Sequence, residues 1–175
     1  MKQLFIGYVI GLIDAEASFS VSIKIQKDLK YGVRLDPVFS ITQSNRRALE
    51  LVAKVIGAGR IIRKPGQRHL YLIVIDNMND LINKLIPFLD KYQNMLRTKN
   101  KQYKIFRDIV FSLHKGIHRD VFLLKELVSK AYILSQISTK SHRKRNLREI
   151  LEIIDSFVTE RQGFSGREVA KCLAG

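Results

Sequence analysis

The first helix predicted from this sequence is apolar on every side and then ends abruptly in acidic residues. From Leu4 to Ile13 the chain carries only apolar side chains, one tyrosine and glycine. A short helix of this kind is expected to be buried all round. Gly7, Gly11 and Ala15 fall four residues apart, so they form one stripe without bulk. The spacing predicts that a second helix approaches this stripe closely, while the bulkier faces meet the core.

Two carboxylates, Asp14 and Glu16, lie at the end of this predicted helix. The helix dipole disfavours negative charge at a C-terminus by about 0.3–1 kcal/mol. We therefore expect a cationic group to compensate for them. Taken alone, the pattern also fits a core helix with a polar last turn and no chemical role.

The charge of the chain indicates a polyanionic partner. Lys and Arg number 31 against 16 Asp and Glu, a net charge of +15, which favours nucleic acid. An anionic membrane is the competing partner, but the basic residues alternate with apolar ones at strand spacing, so no membrane partner is expected. The single Cys172 allows no intramolecular disulfide. We expect a soluble intracellular protein, in the cytoplasm of a prokaryote or in the matrix or stroma of an organelle.

Alternating residues after the first helix predict antiparallel strands. Residues 18–26 alternate polar and apolar without a fault, and 33–42 form a second strand in which Pro37 argues for an edge position or a bulge. A helix capped by Ser44 follows and ends at Gly57. A second hairpin, 60–64 and 69–75, turns at residues 65–66. Its second strand is predicted to point Leu70, Leu72 and Val74 inward and His69, Tyr71 and Ile73 outward.

The rest of the chain is predicted to be helical. Asn77 caps a helix over 78–86 that ends before Pro87, and further helices are expected over 100–113, 119–136 and 147–161. The length suits one domain, which we place at residues 1–162. Residues 163–175 show no core-facing stripe and are expected to form a C-terminal tail.

The segment Val9-Ile10-Gly11-Leu12-Ile13-Asp14-Ala15-Glu16-Ala17 resembles the motif of the LAGLIDADG homing endonucleases. It departs from that motif in having Glu16 for the second Asp and Ala17 for the final Gly. The order helix, two strands, helix, two strands, helix also matches the αββαββα core of the family over about the first 115 residues. The resemblance implies an α+β fold with a four-stranded antiparallel DNA-binding saddle sheet, followed here by additional C-terminal helices.

The resemblance also implies an active site. Glu16 is at the family's metal-binding position, next to the scissile phosphate, and the backbone carbonyl of Ala15 is implied as a second ligand. Mg²⁺ is the expected cofactor, with Mn²⁺ possible. Gln43, which ends the second strand, is similar to a residue that orders water, and Lys99 to a lysine that points at the metals. Each residue alone also fits a solvated strand end or helix start.

A β-ribbon fits the major groove of DNA and presents every second side chain to base edges. The outward residues expected to contact DNA are Ser20, Ser22, Lys24, Gln26, Arg34, Asp36, Ser40, Arg60, Ile62, Lys64, Gln67, His69 and Tyr71. Arg and Lys favour guanine, Gln adenine and Asp36 cytosine. Arg46 occupies a neighbouring basic site, while Lys140, Arg143 and Lys144 are expected to contact phosphates.

The sequence thus predicts a homodimeric, metal-dependent, site-specific endonuclease for double-stranded DNA. One motif per chain provides one acidic anchor, so two chains are expected to meet at Gly7, Gly11 and Ala15. Two-fold symmetry then predicts a pseudo-palindromic target, and the resemblance implies an intron-encoded protein. Two alternatives remain open: an RNA maturase that assists intron splicing, and a DNA-binding regulator without catalytic activity.

Overall fold

Helices cover one face of a four-stranded antiparallel sheet. The computed structural model describes the backbone of residues 2–137 and 144–173, and the side chains of residues 3–137 and 144–160. The first part of the chain runs α1 Lys2–Glu16, β1 Ala17–Ile25, β2 Val33–Gln43, α2 Arg46–Ile56, β3 Arg60–Arg63 and β4 Tyr71–Ile75. It continues with α3 Met78–Asp80, α4 Ile86–Tyr92, α5 Asn100–His114, α6 Val121–Ile137 and α7 Leu147–Leu173. The predicted αββαββα order with added C-terminal helices is confirmed.

The strands lie in the order β1-β2-β4-β3. Ala17 pairs with Ile41 and Ile25 with Val33, so β1 and β2 form a long hairpin. Within β2, only residues 39–43 pair with β4. Pro37 therefore lies where β2 has β1 as its sole neighbouring strand, which agrees with the edge position predicted for a residue without an N–H.

Aromatic residues join the sheet to α5 in the core. The Phe19 ring of β1 lies 5.3 Å from that of Phe39, 5.8 Å from that of Tyr103 and 5.4 Å from that of Phe106, measured between centroids. All four side chains are buried. Because α5 is fixed to the middle of the sheet by these contacts, the start of α5 has a defined place beside the end of α1.

Helix boundaries differ most from those predicted at three places. Asn45, not Ser44, caps α2, and its side chain accepts a hydrogen bond from the backbone N–H of Arg47 at 3.0 Å. The helix that begins at Met78 continues through Pro87 to Tyr92, with a π-helical turn over Leu81–Leu85. That turn precedes the proline, whose ring and missing N–H disrupt regular α-helix pairing. Helix α7 extends to Leu173, past the predicted end at Arg161.

The last helix supports the turn of the β1–β2 hairpin. Gly32 has φ +67°, and a Cβ there would lie 2.5 Å from Cε2 of Phe157. Any other residue at this position would therefore collide with the aromatic ring and be strained in its backbone. The hairpin that carries much of the outward-facing surface is thus held against α7.

Candidate active site and nucleic-acid interface

Asp14 joins the end of α1 to the start of α5. Its Oδ1 accepts hydrogen bonds from the backbone N–H groups of Thr98 and Lys99, both at 2.9 Å, and its Oδ2 accepts from Thr98 N–H at 3.2 Å. The Thr98 hydroxyl donates to the backbone carbonyl of Asp14. A carboxylate from one helix therefore satisfies the free N–H groups that precede another helix.

These hydrogen bonds replace the cationic partner expected for Asp14. Partial burial raises the pKa of Asp14, but the N–H groups of Lys99 and Thr98 outweigh that effect and hold the pKa below its usual value. The expectation of a cationic partner is wrong for this residue because the compensating positive charge is that of backbone amides at a helix start. The role of Thr98 and of the Asp14 cap was not predicted, since the partners are far apart in sequence.

The Asp14 cap holds the backbone of Lys99 near the end of α1, which carries Glu16. Glu16 lies two residues after the cap, and the backbone of Lys99 is bound directly by Asp14. Gln43 is the last residue of β2, and because Ala17 pairs with Ile41, it lies at the same end of the sheet as Glu16. Glu16 is exposed and has no hydrogen bond or ion pair with any residue that the structure describes.

The donors at this position fit a hard divalent cation. Mg²⁺ takes one or two carboxylates, and substrate phosphates and water complete its octahedral shell. The Glu16 carboxylate is exposed, and the carbonyl of Ala15 is among the last four of α1, which lack intrahelical partners. Over residues 3–137 and 144–160, no three His, Cys, Asp or Glu side chains cluster in a way that could hold a metal alone. A metal here would therefore depend on phosphate oxygens or on a second chain.

One face of α1 is open, contrary to the expected all-round burial. Val9, Ile10 and Ile13 are buried, but Leu4 is 76% exposed and Tyr8 51% exposed. A Cβ added to Gly7 or Gly11 would have no atom within 4 Å. The stripe of Gly7, Gly11 and Ala15 thus lies on a surface that is accessible in the single chain, and it leaves room for another backbone.

The face of the sheet that the helices do not cover carries eight of the thirteen outward residues predicted to contact base edges. In β1 and β2 the alternation is as predicted, with the core residues Phe19, Val21, Leu35 and Phe39 buried. The opposite face, called here the groove face, carries Ser18, Ser20, Ser22, Lys24, Arg34, Asp36, Val38, Ser40, Thr42, Arg60, Ile62, Leu72 and Val74, as the register of the strands requires.

Carboxylates order the cations of the groove face. Asp36 accepts from Lys24 Nζ at 2.7 Å and from Arg34 Nε at 2.8 Å. Burial raises the pKa of Asp36, but the hydrogen bonds from Arg34 and Lys24 lower it by more. The pKa of Asp36 therefore lies below its usual value. Arg60 forms a two-pronged ion pair with Asp76, whose pKa is lowered chiefly by that hydrogen bond. Asp36 thus positions the side chains of Lys24 and Arg34. A contact between Asp36 and cytosine stays a prediction.

The predicted register of β4 is wrong. Tyr71 pairs with Gln43, and Ile73 pairs with Ile41, so both lie on the core side, where Ile73 is fully buried. Leu72 and Val74 lie on the groove face instead. Tyr71 was expected to face DNA, but it packs under Arg63, whose guanidinium carbon is 5.6 Å from the ring centroid. The sequence misled because residues 70–75 are apolar on both faces.

The other predicted contacts lie outside the strands. Gln26 follows β1, and its amide donates to Asp28 in the hairpin turn at 3.0 Å. Arg46 begins α2 and pairs with Glu50 at 2.9 Å. The turn between β3 and β4 contains Lys64, Gln67 and His69. Lys144 is exposed before α7. Two predicted phosphate contacts, Lys140 and Arg143, lie outside the described residues.

Comparison with known proteins agrees with this geometry. The family model described as LAGLIDADG endonuclease matches residues 9–110. The chain is 50% identical over 150 residues to the homing endonuclease I-ApeII of Aeropyrum pernix, covering 85% of this chain and 89% of the relative. It belongs to the LAGLIDADG endonuclease family. No helix in the described part of the chain is long and apolar enough to cross a membrane.

Two further relatives are similar in sequence or structure. The DNA endonuclease I-CeuI of Chlamydomonas moewusii is 30% identical over 127 residues, which cover 70% of this chain and 57% of that protein. The solved structure of the archaeal intron-encoded homing endonuclease I-Vdi141I, complexed with DNA, aligns with a TM-score of 0.88 at 47% identity. That alignment covers 91% of this chain and 99% of the other.

Proposed function

We propose that the protein is a site-specific homing endonuclease that cuts double-stranded DNA at a long pseudo-palindromic target. The observation that carries the proposal is the hydrogen bond from the backbone N–H of Lys99 to Asp14, which holds the start of α5 near the end of α1, where the exposed carboxylate of Glu16 lies. Phosphodiester hydrolysis requires a carboxylate that can bind a metal ion and a cation that stabilises the charge developing on the phosphate. The similar proteins named above are themselves endonucleases, which supports DNA cleavage over a splicing role or silent DNA binding.

Each side chain at the site has a distinct task in this proposal. Glu16 and the carbonyl of Ala15 would hold Mg²⁺ at the site. When bound, the metal polarises the phosphate and lowers the pKa of a water molecule. The ammonium of Lys99 stabilises the charge that develops on the phosphate, which is worth several kcal/mol in related chemistry. The Gln43 amide orients the attacking water by a hydrogen bond.

Two chains are needed because each supplies one acidic anchor. The open face of α1 is proposed as the dimer contact, and it comprises the stripe of Gly7, Gly11 and Ala15 together with the exposed Leu4 and Tyr8. Exposed apolar patches of this kind mark interaction sites, and small residues allow close backbone approach. A two-fold dimer places two Glu16 side chains near its axis, one for each DNA strand, and presents two groove faces to two half-sites.

The proposal is tested by selecting cleaved sequences from a randomised plasmid library with the full-length protein. With Mg²⁺ we expect a population of linear products that share a pseudo-palindromic sequence, and with EDTA we expect none. The selected site, cloned into a plasmid, should then be linearised at substoichiometric protein. If the protein binds DNA but leaves every plasmid supercoiled, the endonuclease proposal fails. Activity in an intron-splicing assay without DNA cleavage would favour the maturase instead.

A further inference from the structure

Apolar side chains form a second zone on the groove face, distinct from the ion-paired Lys24, Arg34 and Asp36, which are called here the charged zone. Leu72 of β4 pairs in register with Ile62 of β3 on one side and with Thr42 of β2 on the other. Ile62 is 39% exposed, and Leu72 is half-buried. Val74 lies on the same face, buried between Ser40 and Arg60, with which it pairs. Ile62, Leu72 and Val74 are called here the apolar zone.

The two zones lie at opposite ends of the sheet. Leu72 is adjacent to Tyr71, which pairs with Gln43 at the end of β2 where the active site lies. Lys24 and Arg34 pair with each other at the other end of the β1–β2 hairpin. The apolar zone therefore faces base pairs near the scissile phosphates, whereas the cations of the charged zone face base pairs farther from the centre of the target.

The chemistry of the major groove limits what an apolar zone can recognise. Guanine, adenine and cytosine present hydrogen-bond donors and acceptors there, whereas thymine also presents its 5-methyl group. A polar base edge pressed against leucine or isoleucine loses water without gaining a partner, which is unfavourable. A methyl group in the same place buries apolar area on both sides. The apolar zone thus discriminates by shape and desolvation rather than by hydrogen bonds.

We propose that Ile62 and Leu72 read the 5-methyl groups of thymines at neighbouring base pairs in the cleavage-proximal part of each half-site. The inference rests on the proposed DNA endonuclease function and deepens it. Adjacent strands are about 4.7–4.9 Å apart, and successive bases about 3.4 Å, so two side chains paired across strands face adjacent steps of the duplex. Val74 lies on the same face, two residues farther along β4.

The experiment removes one methyl group at a time from the DNA. The selected target is synthesised with deoxyuridine in place of thymidine at single positions, in both half-sites, and binding of the full-length protein is measured in EDTA. At the positions that face the apolar zone we expect about fourfold weaker binding for each methyl lost, the factor that burial of one such group supplies. At positions that face the charged zone, uridine should leave affinity within about twofold.

Protein variants assign the effect to particular side chains. Ile62→Ala should abolish the uridine penalty at one position and keep it at the neighbour, and Leu72→Ala should do the reverse. Lys24→Ala, in the charged zone, is the matched control and should retain both penalties. Because Ile62 is exposed, its truncation leaves the core intact and the comparison valid even if Leu72→Ala folds poorly.

Distinct results overturn the inference and the function on which it rests. If the protein cleaves its selected target but tolerates uridine at every cleavage-proximal position, thymine reading is wrong and the endonuclease function stands. A penalty that persists unchanged in Ile62→Ala also refutes the assignment. If no sequence is cleaved from the library, both proposals fail.

Discussion

Replacing Asp14 by alanine tests the link between the motif helix and Lys99. The change removes an acceptor that receives N–H groups from Thr98 and Lys99. Loss of an N-cap acceptor costs about 0.5–2 kcal/mol, and hydrogen bonds to a charged group are at the strong end of the range. Since Asp14 is only partly buried, we expect a loss of about 1–2 kcal/mol in the free energy of unfolding. For a chain of this size that lowers Tm by about 2–8 °C.

The Asp14→Asn variant provides the matched control for this substitution. Asparagine caps helices about as well as aspartate, so Asp14→Asn should keep most of the stability and the position of Lys99. Thermal unfolding at fixed protein concentration and single-turnover cleavage would be measured for both variants. We expect Asp14→Ala to cleave at least tenfold more slowly while binding DNA nearly as well. An alanine variant that matches the unchanged protein in Tm and rate would refute the cap as the element that positions Lys99.

Three further predictions concern catalysis, assembly and pH. Lys99→Met should slow cleavage at least a hundredfold with little loss of affinity, since a cation aimed at the transition state matters more to rate than to binding. Lys101→Met, in the first turn of α5, is the control and should change neither the rate nor the affinity. Gly11→Leu should give monomers or insoluble protein in sedimentation experiments, because overpacking at a close helix contact costs about 1–3 kcal/mol in each chain. A Gly11→Leu variant that forms a stable, active dimer would show that the dimer contact lies on another face of the protein. Burial, and to a smaller extent the charge of Arg119, lower the pKa of His118 below 6.5. At acidic pH the unfolded chain therefore binds a proton at His118 that the folded chain does not. The free energy of unfolding should fall as the pH drops below about 6.5. Urea unfolding at pH 7 and pH 5 checks this, and His118→Gln should reduce the difference.

The sequence predicted the β1–β2 hairpin correctly because polar and apolar residues alternate there without interruption. Burial of one face then determines the register, since a slip of one residue would reverse every side chain. In β4 the residues on both faces are apolar, with Leu72 and Val74 outside and Ile73 and Ile75 inside. Periodicity carries no information in such a strand, and only pairing with β2 reveals which residues face the groove.

The sequence nominated the residues of the candidate site, whose roles stay predictions, but it did not reveal how they are connected. The motif alone pointed to Glu16, and the residues before α5 pointed to Lys99. That Asp14 caps α5 depends on how two distant helices pack on the sheet, which local patterns do not encode. The stripe on the face of α1 that is open in the single chain was predicted to meet a second helix, and that contact stays a prediction, since an apolar helix surface can be covered by its own core or by a second chain.

A cleavage assay of the Glu16→Gln variant tests whether Glu16 is the metal-binding carboxylate. The change removes the carboxylate charge but keeps the size of the side chain and the cationic groove face. On a plasmid with the selected target and Mg²⁺, we expect no detectable linear product and binding that is unchanged or tighter. Glu126→Gln, which makes the same change on α6 where Glu126 pairs with Lys130, should cleave like the unchanged protein. Cleavage by Glu16→Gln within tenfold of the unchanged protein would contradict the assignment of Glu16 as the metal-binding carboxylate.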